Sequence, residues 1–318
     1  MSPSGFQKFD TCEMDFFISY ALSRRSPSGI AAMKGTILHK MMEILAKQKL
    51  CEQEGKPFNT IEDECIDSSK LTYDIRSAEN LDFVFNSVYD KLTSESDLNF
   101  TDKERRQIYK WLQTATTYLN GSFNPLVKDV VSPECHFEIE IPDDWASYAY
   151  TLPNGEIAAG QLKIRGIIDL VSRIDDKTYE ILDYKSGACK SWVTFKEKTL
   201  QDIQNDIQLQ IYHLAAHYLY PDIENVILCM YYLAFDKPFT VSLDKEVTKL
   251  TLDRVCRQFN RIRNCKNPRC SNTFFCSKIC YWNKCPHPSG VSQCQFYRNE
   301  LQRLGMDETI RRYKVEKI

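Results

Sequence analysis

The chain has 318 residues, 43% apolar and 26% charged, with a formal net charge of −2. That is enough for one large domain, or for a catalytic domain with an appended module, around a substantial core. No apolar stretch approaches a membrane span and no charged-then-apolar signal peptide opens the chain, so a membrane protein is excluded and a soluble, cytoplasmic protein without membrane partners is expected.

In chain order, Ile30–Lys47 places Met33, Ile37, Met41 and Leu45 in one helical stripe. Cys51–Ser77 is polar and reads as loop with short pieces. Helices are predicted over Asn80–Thr93 and Thr101–Leu119, the second opened by a capping box of Thr101 and Glu104. These helices make an N-terminal layer. Cys135–Ile141 alternates polar and apolar residues, Tyr148–Leu152 is a second strand, and PNGE at 153–156 is a turn.

Strands Leu162–Ile174 and Thr178–Tyr184, joined at DDK 175–177, form an antiparallel hairpin. Alternate side chains of a strand share a face, so Asp183 and Lys185 point one way and Tyr184 the other. Asp169, near the end of the first strand, brings a second carboxylate. Two carboxylates and an ammonium at neighbouring strand ends can hold a divalent metal and a water, the minimum for cutting a phosphodiester. A long helix over Thr194–Leu219 then leads to Asn225–Ala234, whose continuous apolar character predicts a buried central strand. Helices are also predicted over Val247–Ile262 and Phe296–Tyr313.

The near-neutral total hides an asymmetry. Between Arg254 and Ile318 there are 14 Lys/Arg against 4 Asp/Glu, and Arg257, Arg261, Arg263, Arg269, Arg311 and Arg312 either track a phosphate backbone or form a solvated face. Six of the thirteen cysteines fall between Cys265 and Cys294, at gaps that suit thiolates wrapping one centre. A disulfide framework is not expected of an intracellular chain.

The pieces GTILH at 35–39, GIIDLV at 166–171, EILDYKSG at 180–187 and DIQLQIYHLA at 206–215 occur in the order found in RecB-type members of the PD-(D/E)XK nuclease superfamily. The chain resembles in particular the iron–sulfur branch that includes the AddB nuclease domain and the CRISPR-associated adaptation exonucleases. The resemblance implies an α/β fold: a central mixed β-sheet flanked by helices, a restriction-endonuclease-like core, with an N-terminal helical layer and a C-terminal Cys-rich metal module. Three parts are expected: 1–130, the N-terminal cluster segment and helical layer; 131–255, the nuclease core; and 256–318, a basic module closing on the N-terminus.

Residue by residue, the resemblance makes Asp169 and Asp183 ligands of Mg²⁺ or Mn²⁺, with His39 as a further metal ligand. Lys185 orients the attacking water, Gln208 hydrogen-bonds near that lysine or the substrate phosphate, and Tyr212 contacts DNA. Gly35 lets its helix approach the sheet. Glu134 matches a family glutamate that either contacts metal or is solvated at a strand edge. A 4Fe–4S cluster is implied on Cys12, Cys276, Cys280 and Cys285, with Cys294 the main substitute; Cys265, Cys270 and His287 are surplus, and a Zn²⁺ site within the C-terminal cysteines is the rival.

The implied function is a metal-dependent DNA nuclease, a single-strand-specific exonuclease of recombination, repair or phage replication. Its partners are single-stranded DNA and a separate helicase or recombination protein, since no GxxxxGK[ST] motif is present. The alternatives are a DNA-binding recruitment subunit and a nuclease for RNA or flap structures.

Overall fold

The structure is a computed structural model that describes the chain apart from residues 152–154, 191–195, 236, 272 and 316–318, and apart from the side chains of 118–120. Helix α1 (Pro3–Thr11) begins at Ser2, whose hydroxyl accepts from the Gly5 N–H. A short α2 (Glu13–Phe16) follows. Helix α3 (Ile30–Gln53) extends the expected helix by a turn and a half, and α4 (Ala78–Ser94) and α5 (Asp102–Gly121) pack beside it. The predicted capping box opens α5: Thr101 and Glu104 satisfy each other's backbone N–H groups.

The five-stranded sheet comprises β1 (Asp129–Glu140), β4 (Lys163–Asp175), β5 (Thr178–Lys185), β6 (Asn225–Tyr232) and β7 (Lys237–Leu243), in that spatial order. β5 and β6 run parallel and every other pair antiparallel, so the sheet is mixed. A parallel pair needs a crossover connection, supplied by α6 (Leu200–Gln204) and α7 (Ile207–Leu219). The single crossover helix expected over Thr194–Leu219 is therefore two. Asp206 caps a fresh N-terminus, its carboxylate accepting from the Gln208 N–H at 2.9 Å; the expected start at Thr194 lies outside the described residues.

A second, two-stranded sheet of β2 (Ser147–Thr151) and β3 (Ile157–Gln161) extends the turn between β1 and β4. Of the PNGE turn between them, residues 153 and 154 lie outside the described residues. After β7, α8 (Glu246–Arg263) leads into the cysteine-rich segment, a short α9 (Tyr281–Lys284), α10 (Gln293–Leu304) and α11 (Met306–Tyr313). The predicted terminal helix is split at Gly305, whose φ of 79° lies in the left-handed region that glycine adopts without a Cβ clash.

Both faces of the sheet are covered. On one face, Ile37, Leu38, Met41, Ile44 and Leu45 of α3 are wholly buried with residues of α4, α5 and the sheet, including Tyr184 and Tyr231. Each such large apolar side chain contributes roughly 1.5–3 kcal/mol. On the other, α1, α6, α7 and α8 pack on Cys135, Phe137, Ile168 and Ile181. A third, smaller cluster joins α2 and the segment before α3 to α10 through Cys12, Met14, Ile18, Trp282 and Tyr297. Among the described residues no helix is long and apolar enough to cross a membrane.

Candidate active site

The hairpin that carries Asp169, Asp183 and Lys185 is irregular where they meet. Pairing of β4 with β5 ends at Leu170 and Leu182, and the Tyr184 N–H is accepted instead by Asp169 Oδ2 at 2.7 Å. A carboxylate thus takes the place of the ladder. Ile168 packs into the cluster on the α7 side and Leu170 into the one on the α3 side. Residues two apart in a regular strand share a face, so β4 is turned at Asp169. On β1, Glu134 sits between the paired residues Pro133 and Cys135 with a φ of 44°, in the left-handed region that is costly for a residue with a side chain. Both distortions aim carboxylates at one place.

His39 arrives from α3. A Cβ on Gly35, one turn earlier, would stand 2.7 Å from Ser186 Oγ, so the missing side chain is what lets the helix close on the end of β5. His39 Nδ1 is 3.1 Å from Asp169 Oδ1, and ligand atoms of His39, Glu134 and Asp169 all lie within 4.8 Å of one another. These three line a cleft of about 620 Å³ whose wall adds Lys40, Glu43 and Glu64.

Beside this group, Asp183 is 1% exposed. Gln208, in the first turn of α7, connects it to the lysine: Gln208 Nε2 donates to Asp183 Oδ1 at 3.1 Å, and Lys185 Nζ donates to Gln208 Oε1 at 3.0 Å. Lys185 Nζ also stands 2.6 Å from Asp183 Oδ2, so the ammonium is the partner of that buried oxygen. Tyr184 points into the opposite layer as expected, donating to the Phe123 carbonyl at 2.7 Å.

Tyr212, expected to meet DNA, is placed otherwise. Its ring is 4% exposed and its hydroxyl donates to the Ile167 carbonyl at 2.7 Å while receiving Gln208 Nε2 at 2.7 Å. It braces β4 against α7. Asp206 was not singled out by the sequence reading, yet it holds this helix start, accepting from Gln7 Nε2 and Lys198 Nζ as well as from the Gln208 N–H. An Asp directly before an apolar run was the available signal.

Burial and like charge set the titration of the group. Burial, then Asp169 and Glu43, push the Glu134 carboxyl up to about 7. Burial pushes Asp183 up to about 6, with Lys185 pulling it down and Asp169 adding to the rise. For Lys185 burial opposes the charge, but Asp183 and Asp169 outweigh it and the pKa is raised, so it stays an ammonium. His39 is likewise raised: burial opposes its charge and Asp169 prevails. Imidazole and carboxylate donors within 4.8 Å of one another, with carboxylates that hold protons near neutrality, are a donor set that fits a hard divalent cation.

The sulfurs gather elsewhere. Cys270 Sγ lies 3.1 Å from Cys276 Sγ and 3.7 Å from Cys294 Sγ, and Cys12 and Cys280 are buried in the same cluster. Burial, then neighbouring thiols, push Cys276 up to about 12; burial pushes Cys280 up to about 11 and also raises Cys12 and Cys294. Cys285, expected among the ligands, lies outside this buried cluster, with its thiol 3.3 Å from Tyr281 Oη. His287 stacks on Phe296, and Cys265 neighbours Glu13. Of the basic residues proposed to track phosphate, Arg261 is paired with Asp10, Arg311 and Arg312 with Glu308, and Arg263 donates to the Trp145 and Ser147 carbonyls.

The family model of the PD-(D/E)XK nuclease superfamily matches residues 1–289. Among curated proteins, none matches the chain. Of solved structures, a candidate exonuclease from Eubacterium rectale is similar at 13% identity and a TM-score of 0.49, covering 90% of each chain. The crystal structure of SSO0001 is similar at 19% identity and a TM-score of 0.26, over 75% of this chain and 95% of that one.

Proposed function

The chain belongs to the PD-(D/E)XK nuclease superfamily and is an enzyme with that family's nuclease activity; from this premise we propose that it is a Mg²⁺- or Mn²⁺-dependent exonuclease acting on single-stranded DNA. The observation that carries the reading is the meeting of the His39, Glu134 and Asp169 group with the hydrogen-bonded set Asp183, Gln208 and Lys185. The choice of single-stranded DNA and of end-directed cleavage rests on the motif resemblance.

Asp169, Asp183 and His39 would hold the metal, with Glu134 adjoining them. When bound, such a cation lowers the pKa of a water and offsets charge on the phosphoryl oxygens. The residues supply the rest. Lys185, held as an ammonium, cannot accept a proton at neutral pH; it donates to the attacking water and to the oxygen that gains charge. Gln208 fixes the Lys185 rotamer and the Asp183 carboxylate at once, and Asp206 fixes Gln208 through the helix start. Tyr212 keeps β4 and α7 in register.

We also assign a metal centre, a 4Fe–4S cluster in our reading, to Cys12, Cys276, Cys280 and Cys294, with Cys294 taking the part expected of Cys285. Buried thiolates need a compensating cation, and the meeting of Cys12 with the C-terminal sulfurs supports a centre that staples the chain ends. Visible absorbance lost in Cys12→Ala supports it; colourless protein carrying stoichiometric zinc overturns it.

The activity test is to incubate purified protein with end-labelled linear and circular single-stranded DNA, duplex DNA and RNA, with Mg²⁺ or Mn²⁺. Linear single strands should shorten from an end, with the activity lost in Asp183→Ala and Lys185→Ala. Cleavage of circular strands would overturn the exonuclease reading, and inert wild-type protein the metal-dependent mechanism.

A further inference from the structure

A second cleft, of about 730 Å³, adjoins the site on its other side and is lined by strands β1 and β4, by Gln208 and Tyr212, and by the first turn of α1. Its volume lies in the range of roughly 300–1,000 Å³ usual for ligand sites. Gln208 lines this cleft while contacting both Asp183 and Lys185, so the cleft reaches the residue that holds them. Ile167 lines both clefts and stands between them, an apolar side chain 41% exposed.

The two clefts differ in charge. The one holding His39 carries Glu43, Glu64, Glu134 and Asp169 against Lys40, an acidic excess that repels phosphate until a cation is bound. The second carries Arg165, with Glu138 as its one carboxylate. Every other cation of β4 is committed: Lys163 pairs with Glu138 and Glu140, and Arg173 with Asp129. Among the described residues the Arg165 guanidinium makes neither a hydrogen bond nor an ion pair, and the acid facing it, Glu138, is engaged by Lys163. Arg165 lies two residues before Ile167, about 6.7 Å along the strand, and the turn of β4 at Asp169 follows two residues later.

We propose that this cleft binds the nucleotide next to the scissile bond: Arg165 grips its phosphate, and Ile167 carries its sugar and base where the strand passes from one cleft to the other. A forked guanidinium with free donors suits a phosphate diester, and an exposed apolar side chain suits a base face. Phe137 and Gly166 also line the cleft and pack closely, since a Cβ on Gly166 would stand 2.7 Å from the ring. This assignment rests on the reading of the neighbouring group as a nuclease centre for single-stranded DNA.

The test measures binding of a fluorescent oligothymidylate in EDTA between 25 and 200 mM KCl, and separately kcat and KM for its degradation with Mn²⁺. Arg165→Gln should weaken binding roughly fivefold to tenfold at low salt and reduce the slope of log K against log salt by about 0.7, the share of one phosphate contact on a single strand. KM should rise while kcat changes less than about threefold, the pattern of a lost binding contact. Arg165→Lys should restore most of the slope, and Arg173→Gln, which breaks a pair on the same strand, should leave it unchanged. Wild-type protein that degrades the oligonucleotide while Arg165→Gln binds and degrades it equally well would overturn the cleft assignment alone. Wild-type protein that neither binds nor degrades it would overturn the single-stranded DNA reading beneath it.

Discussion

The carboxylate–lysine group and the cysteine group both draw together residues far apart in sequence, but they are held in different ways. Asp169, Asp183 and Lys185 sit on paired strands, Gln208 on a capped helix and His39 on a 24-residue helix, and nearly every polar atom has a protein partner. The cysteines sit on short turns and helix ends, and their sulfurs chiefly have one another. The first group is pre-organised by the fold, and a cation has only to displace protons. In the second the sulfurs lie against one another, and the metal we propose there would stabilise the fold itself.

The largest expected effect separates activity from stability. Asp183→Asn should lower the cleavage rate by about a thousandfold or more. The substitution should leave the protein at least as stable at pH 8. Asp183 is raised in the folded state, so its contribution is full below the unfolded carboxylate range and is lost as pH rises through about 6. Rate assays beside thermal melts check this, and a large fall in melting temperature would mean that the carboxylate holds the fold together.

Cys12→Ala should do the reverse. Loss of the contact between the chain's two ends should cost on the order of 2–3 kcal/mol, read as roughly 5–10 °C in melting temperature. Metal-stripped wild-type protein should melt with the variant. If stripping leaves the wild-type melt unchanged, the cysteines hold no metal and the contrast between the two groups collapses.

The smallest effect concerns pH. Glu134 and Asp183 keep protons up to about 7 and about 6 without a cation, and a cation held by Asp183 beside Glu134 would favour the ionised form of both. Mn²⁺ affinity should therefore fall roughly tenfold between pH 7.5 and 6, with proton release on binding measurable by calorimetry in buffers of different ionisation enthalpy. Glu134→Gln should flatten the upper part of that dependence.

Much of the fold was legible because its elements carry strong local patterns: the apolar stripe of α3, the Thr101–Glu104 box, the turn at 175–177 and the unbroken apolar run of β6. The strands β3 and β7 were not read, because IAAGQ is made mostly of small residues and KPFTVSL carries near its start a proline that argues against a strand. The break at Asp206 was hidden by apolar periodicity on both sides. In the site, DYK and the early helix histidine were visible as motifs. The burial of Tyr212, the place of Cys285 outside the buried cluster and the free guanidinium of Arg165 were not.

Sequence alone determined which chemical groups the chain offers, since carboxylate, ammonium, imidazole and thiol are properties of side chains, and strand and helix periods fix which neighbours share a face. It also determined the alternation that sends Tyr184 to one layer and Asp183 to the other. Only the tertiary structure decided which groups meet. The left-handed turn at Glu134, the close approach at Gly35 and the gathering of the cysteine segment depend on packing between elements distant in sequence, and no local period encodes a distance across the sheet.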